Sequence, residues 1–429
     1  PEGNKARTAT EAKPMRHLSK SAGSILTAAF LLAGLLVFPS RIHAQFNGDF
    51  TIERHFLDSE NFLDWKAYQV PLDWEEEWHF TENGMRYSVG SISMYRFYVS
   101  KEIRLAHQIG SNFKVFYNQK EESFYTQEPG YQEAEFRFGV HPYFVSLTGF
   151  PEHSKKLGHM GFALSYGERS EPVFVRYNQL EMFTVFNEKN ANTDKNKDDR
   201  YYGKLPVLRE LDLHYQQDQL FVSVNHWNIG GAELKIKQPA KSYNYHGSYS
   251  ELNADWKNDG GIIYGLTLKN LSEYRRNPPD DSGSDTSDME QTLGLKSYDV
   301  YLSWSWVEEN QLTLGVLSSL FENRIVSDSN AKRYLCRLGT DQLYGFWNRA
   351  RSEWFSWRYS LQVGQAELSK DFLDMDVEPE QKTMEIKAGF GFILEKAKHY
   401  RFFVNTTWDL DLFKTRQWDG GSILLQFYF

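Results

Sequence analysis

Charged residues of both signs recur at alternate positions through much of this chain. Glu135 and Arg137 stand two apart, as do Glu385 and Lys387, and Asp409 and Asp411, each pair separated by an apolar residue. Alternation at two residues puts each set on its own face of a strand. If such a face encloses water, its charges set a transverse field that orients polar solutes, a known selectivity device. Parity assigns Arg96, Arg104, Glu135, Arg137, Asp212, Arg358, Lys387 and Asp409 to that wall. A solvated wall whose charges merely pair with one another gives the same pattern, and parity does not place the eight at one height.

Other chemistries fit less well. Asp194, Asn196, Asp198 and Asp199 alternate oxygen ligands as a calcium loop does. Yet the sixth position is Asp199 where the sharp turn needs glycine, and the twelfth is Leu205 where a bidentate glutamate belongs. A hydrolase built on a strand needs its nucleophile and histidine on one face, whereas His226 and Ser223 have opposite parity. The acidic runs at 280–290 and 371–380 read as solvated loops. No catalytic residue, metal site or cofactor is expected. The single Cys336 excludes an internal disulfide framework, and a net charge of −9 gives no support to nucleic-acid binding.

The elements that hold this wall are strands. Leu72, Trp74, Trp78 and Phe80 alternate with polar residues; so do Tyr87, Val89, Tyr95, Phe97 and Val99, then Met384 to Leu394, and Phe402 to Leu412. Sixteen per cent aromatic residues with a mean hydropathy of −0.59 exclude a bundle of membrane-spanning helices. The same average suits a membrane β-barrel, where lipid-facing and lumen-facing residues cancel in any window. Connections then discriminate the barrel from a soluble sandwich. From the C-terminus, short links (396–398, 350–353, 308–310, 258–260, 217–218, 168–170) alternate with longer ones (369–382, 326–340, 276–290, 229–242, 188–206). Outer-membrane barrels keep short turns on the periplasmic side and long loops outside. The count is eighteen strands if 72–81 forms a hairpin with the strand that follows through Asn83-Gly84, and sixteen if that hairpin stands apart. Lipid offers the backbone no hydrogen-bond partner, so the sheet must close on itself.

Residues 1–44 read as a leader containing a secretory signal peptide: basic around Arg16 and Lys20, apolar from Ser24 to Phe38, broken at Pro39 and ending at Ala44. Removing that stretch, with six basic and two acidic residues, takes the net charge from −9 to −13. Residues 45–71 precede the barrel (72–429). Phe56, Leu57, Phe62, Leu63 and Trp65 among acidic residues suggest a short amphipathic helix, either a partial plug or a segment at the periplasmic rim.

The chain ends Gly421-Ser422-Ile423-Leu424-Leu425-Gln426-Phe427-Tyr428-Phe429. Gly421, then Ile423, Leu425 and Phe427 at alternate positions, and a terminal aromatic Phe429, resemble the assembly signal of Gram-negative outer-membrane β-barrels. That resemblance implies an all-β, antiparallel up-and-down barrel in the outer membrane. It also implies contact with lipid and lipopolysaccharide and insertion by the barrel assembly machinery. The class spans many functions. The reading that fits the mixed polar wall best is a porin-like channel for small polar solutes. The alternative is a sleeve around a separate partner, either a cytochrome or a polysaccharide strand.

Overall fold

The computed structural model describes residues 83–92, 96–110, 112–124, 131–150, 159–168, 171–181, 200–236, 241–276, 289–306, 310–327, 333–352, 354–372, 378–396, 399–410 and 418–428. Nineteen β segments account for nearly all of them: β1 (Gly84–Ile92), β2 (Arg96–Ile109), β3 (Phe113–Phe124), β4 (Tyr131–Val140), β5 (Tyr143–Phe150), β6 (His159–Tyr166), β7 (Val173–Glu181), β8 (Arg200–Lys204), β9 (Val207–Gln217) and β10 (Leu220–Ile236). The series continues with β11 (Lys241–Lys257), β12 (Ile262–Arg276), β13 (Met289–Trp306), β14 (Asn310–Ser327), β15 (Arg333–Ser352), β16 (Phe355–Phe372), β17 (Glu378–Lys396), β18 (Tyr400–Asp409) and β19 (Trp418–Tyr428).

Each strand pairs antiparallel with the next, and β19 pairs with β1 from Gly420↔Ile92 to Tyr428↔Gly84, which closes the sheet. β8 and β9 are one strand, interrupted at Leu205-Pro206 and both paired to β10. Pro206 has no N–H to give the ladder, and β10 bulges opposite it at Gly230-Gly231, where Gly231 takes a φ of +121° open to glycine. Eighteen strands result, an even number, as antiparallel closure demands.

Closure corrects one expectation. Both edges of β1 are taken, by β19 and by β2. The strand expected over 72–81 therefore has no free edge of β1 to pair with, and the hairpin that restores the count is 92–96. Asn83 instead caps this corner, its Oδ1 accepting a 2.6 Å bond from the Ala106 amide. The leader 1–44, the segment 45–71, residues 72–81 and Phe429 lie outside the described residues.

The barrel is inside-out relative to a soluble protein. Large apolar side chains stand exposed on the outer face, among them Phe136, Leu147, Leu164, Val300, Leu314, Val316, Leu343 and Leu361. Their inward neighbours Glu135, Ser146, Thr148, Ser165, Asp299, Thr313 and Gln342 are buried. Only a surrounding apolar solvent makes that arrangement favourable. The end of the barrel that holds Gly84 and Tyr428, here the near end, carries an aromatic girdle in which Trp256 stacks on Tyr264 at 5.4 Å and Trp347 packs on Tyr359 at 5.6 Å. Trp304 and Trp306, 5.1 Å apart, belong to it, while Trp408 is exposed toward the far end. Near-end links never exceed the six residues of 167–172; the longest links, 182–199 and 277–288, are at the far end.

Strands β10–β17 run 15 to 20 residues, although about 9–11 tilted residues suffice to cross a bilayer. The excess lies beyond the apolar band on the far side. There the outer face turns polar, with an Arg337–Glu322 ion pair at 2.6 Å and Arg276 4.0 Å from Glu290. Hence the loops expected over 229–242, 326–340 and 369–382 shrink to 237–240, 328–332 and 373–377. The hydrogen-bond ladder continues where apolar alternation has already ended.

Candidate functional site: the inner wall

Inner side chains fall into two groups. Over β4–β10 they form a hydrogen-bonded network centred on Arg176. Its Nη2 donates to Glu135 Oε2 at 3.1 Å, and its Nη1 lies 3.5 Å from Glu210 Oε2. Glu135 also accepts from Ser146 Oγ at 2.5 Å, and Glu210 accepts from Asn178 Nδ2 at 3.3 Å and Asn225 Nδ2 at 3.2 Å. Asp212, directly opposite Arg176 on the neighbouring strand, bonds His214 Nε2 at 2.8 Å. The Arg137 guanidinium lies 3.8 Å from the centre of the Phe116 ring, a cation–π contact. Lys114 pairs with Glu168 at 2.7 Å near the mouth.

Over β11–β19 the second group is built on tyrosines that lie flat across glycines. The Tyr301 ring crosses Gly265 on β12, where a Cβ would come within 2.1 Å of it, and its hydroxyl donates to Asp255 Oδ1 on β11 at 2.6 Å. The Tyr344 ring crosses Gly315 on β14 in the same way and donates to Asp299 Oδ1 on β13 at 2.7 Å. Each hydroxyl thus ties together strands that do not pair. Replacing Gly265 with alanine is expected to push Tyr301 off Asp255 and cost about 1–3 kcal/mol. The check is a lower temperature for loss of the heat-modifiable folded band, with the same fall for Gly315→Ala and none for Gly339→Ala, which meets open space.

The residues expected from parity are placed as follows. Arg96 sits on β2 opposite Ile92, with its side chain outside the described atoms. Arg104, opposite Asn118, is half-buried, as is Arg137. Glu135 bonds Arg176, and Asp212 stands opposite Arg176 on the neighbouring strand. Lys387 and Asp409 stand directly opposite each other on β17 and β18, both buried. Arg358 is 1% exposed; its Nε donates to Asn348 Oδ1 at 2.6 Å and its guanidinium lies 5.3 Å from the Phe403 ring centre. Gly421, Ile423, Leu425 and Phe427 share the outer face of β19, opposite the inward Leu424 and Gln426. Ser250 on β11, not Ser223, is the serine beside His226, 2.8 Å from its Nδ1 on the outer face. No metal-binding group of His, Cys, Asp and Glu occurs among the described residues.

Arg176 escapes a reading by parity for one reason. Phe174 and Leu180 share the inner face with Arg176, so that strand is apolar on both sides and shows no alternation. The available signal for the tyrosines is the small residue opposite each: Gly265 faces Tyr301, and Gly315 faces Tyr344.

No family model and no curated protein matches the chain. Among solved structures, it is similar to OmpT, an outer membrane protein of Vibrio cholerae, at 10% identity and a TM-score of 0.38, covering 81% of this chain and 96% of that one. It is similar to OccK10 of Pseudomonas aeruginosa at 9% identity and a TM-score of 0.40, covering 80% and 97%. For a mutant of the Rh. blastica porin the values are 9%, 0.31, 81% and 98%. The barrel itself is established by its own closed strand pairing.

Proposed function

We propose that this chain is a channel in the outer membrane of a Gram-negative bacterium that passes small polar solutes by facilitated diffusion. The supporting observation is the inversion just described: a closed eighteen-strand sheet, apolar outside and lined with ionisable and amide side chains inside. Barrels of 16–18 strands are wide enough to hold an aqueous channel. Lipid and lipopolysaccharide cover the outer face in this reading, and the assembly machinery engages β19. The inner residues that keep contact with water include Arg104 and Gln108 on β2, Lys114 on β3, Arg137 on β4, and Glu210 and His214 on β9. They are the ones a passing solute meets.

Purified barrel in a planar bilayer should give steady single-channel conductance. Ion preference should be strongest in dilute electrolyte and fade near 1 M, where the Debye length is about 3 Å. Arg104→Glu and Arg137→Glu should shift preference toward cations. Arg358→Glu should instead destabilise the fold, because that guanidinium is buried. A barrel that carries neither ions nor solutes overturns the channel reading.

A further inference from the structure

Among the described residues, the large aromatic side chains on the inner wall are buried, with one exception. Phe116, Phe174, Tyr249, Phe321, Phe346 and Phe403 are each 7% exposed or less. Trp227 on β10 packs against the buried cluster of Tyr249, Leu271, Leu293, Leu295 and Phe321, its ring 6.2 Å from that of Tyr249 at 30°. It is itself only half-buried, so part of the indole stays open to the lumen. Among the described tryptophans it alone lies on this wall; Trp256, Trp304, Trp347 and Trp408 stand exposed on the outer face.

Planar polar side chains frame this ring. Glu210 stands directly opposite Trp227 on β9. Asn225, two residues along β10 on the same face, donates to Glu210 Oε1 at 3.2 Å and stands opposite Glu251 on β11. Glu251 in turn accepts from Asn253 Nδ2 at 3.0 Å and from the Tyr249 hydroxyl. Glu210, Asn225, Glu251 and Asn253 are all half-buried and keep contact with water. Charge is balanced across the frame: Arg176 lies 3.5 Å from Glu210, and Lys269 on β12 stands opposite Glu251. An ionic solute therefore finds no net counter-charge here. A neutral solute rich in hydroxyls finds donors and acceptors side by side. Adjacent hydroxyls of a sugar can exchange bonds with an amide–carboxylate pair, while the C–H face of its ring leaves water against the indole. We infer, on the channel reading above, that Trp227 with Glu210, Asn225 and Glu251 forms a saccharide-binding platform, and that small neutral saccharides are among the solutes this barrel passes. Binding there is weak, because a conducting site has to release what it captures. An organic cation is the competing ligand, since an indole face also attracts cations; the balanced charge of the frame argues against it.

The test is block of ion current through the purified full-length barrel in a planar bilayer. Maltose and maltotriose are the probes, with sorbitol as a polyol that has no ring face and choline as an organic cation. Both sugars should reduce the current saturably, and sorbitol should do so far more weakly. Trp227→Ala should weaken the block about tenfold. Trp227→Phe, which keeps a ring over the cluster, should weaken it less. Asn225→Ala should weaken it several-fold with the indole in place, and carries the test if Trp227→Ala does not fold. Equal block by sorbitol and maltose, block by choline and not by maltose, or wild-type block in the folded variants overturns the proposal. A second readout needs no current: saturation transfer from barrel to maltose by NMR, in a detergent without a sugar headgroup, should be lost in Trp227→Ala. If the barrel is electrically silent but this transfer is present, the channel reading fails and the platform holds. If it conducts but shows neither block nor transfer, the platform fails and the channel holds.

Discussion

Arg176→Met is expected to destabilise the barrel by about 3–5 kcal/mol, the usual cost of removing one partner from a buried ion pair. The side chain is 8% exposed and lies between two carboxylates, 3.1 Å from Glu135 and 3.5 Å from Glu210, with Asp212 opposite on the next strand. Methionine fills much the same volume but leaves Glu135 and Glu210 on one stretch of wall without the cation they share. The loss should show as a large fall in the denaturant midpoint in detergent. Adding Glu135→Gln and Glu210→Gln to Arg176→Met should recover much of it, because a neutral, hydrogen-bonded wall no longer needs the cation. If the triple variant is as unstable as the single one, Arg176 acts by packing against its neighbours and not by charge.

That network shows what the sequence makes legible and what it hides. Parity places Glu135, Asp212, Lys387 and Asp409 on one wall because each sits in a strand whose other face is plainly apolar: Phe136 and Phe138 flank the first pair's strand, and Ile386 and Ala388 adjoin Lys387. Parity says nothing about height. Which charges meet depends on the register between strands, and that is how Glu135 comes to bond Arg176 across two intervening strands. Link lengths were legible wherever the apolar band defines a strand's limits, as at the near-end turns 218–219 and 258–261. They were not legible at the far end, where Gly294, Thr292 and Glu290 on β13 continue the ladder opposite Glu322, Arg324 and Val326 and the apolar residues Leu293, Leu295 and Phe321 lie on the inner face instead of the outer one. The first hairpin was hidden for a related reason. Asn83-Gly84 is a strong turn signal, and alternation runs on through Tyr95 and Phe97. Only closure, which takes both edges of β1, moves the turn to 92–96.

The inside-out arrangement itself makes the last prediction. Val316 is 50% exposed on the outer face of β14, level with Val300 on β13 and Leu343 on β15, which are 55% and 62% exposed. In a soluble sheet, arginine at so open a position would be close to neutral, because its charge would remain hydrated. In a bilayer the same change is expected to cost about 2–4 kcal/mol if the residue lies near the midplane. Val316→Arg should therefore lower the stability of lipid-inserted barrel by that amount. Gln311→Arg, on the inner face at the near end of the same strand, provides a comparison inside the barrel, where it disturbs the bonds to Ser303 and Asn348. Moving the arginine along the outer face separates the bilayer from a local packing effect. At Leu320, four residues toward the far end and opposite Lys296, the penalty should drop to roughly 0–1 kcal/mol as the side chain reaches the interface. A penalty that is equal at Val316 and Leu320, or absent at both, would mean that this face does not meet hydrocarbon, and the membrane assignment of the barrel would fall with it.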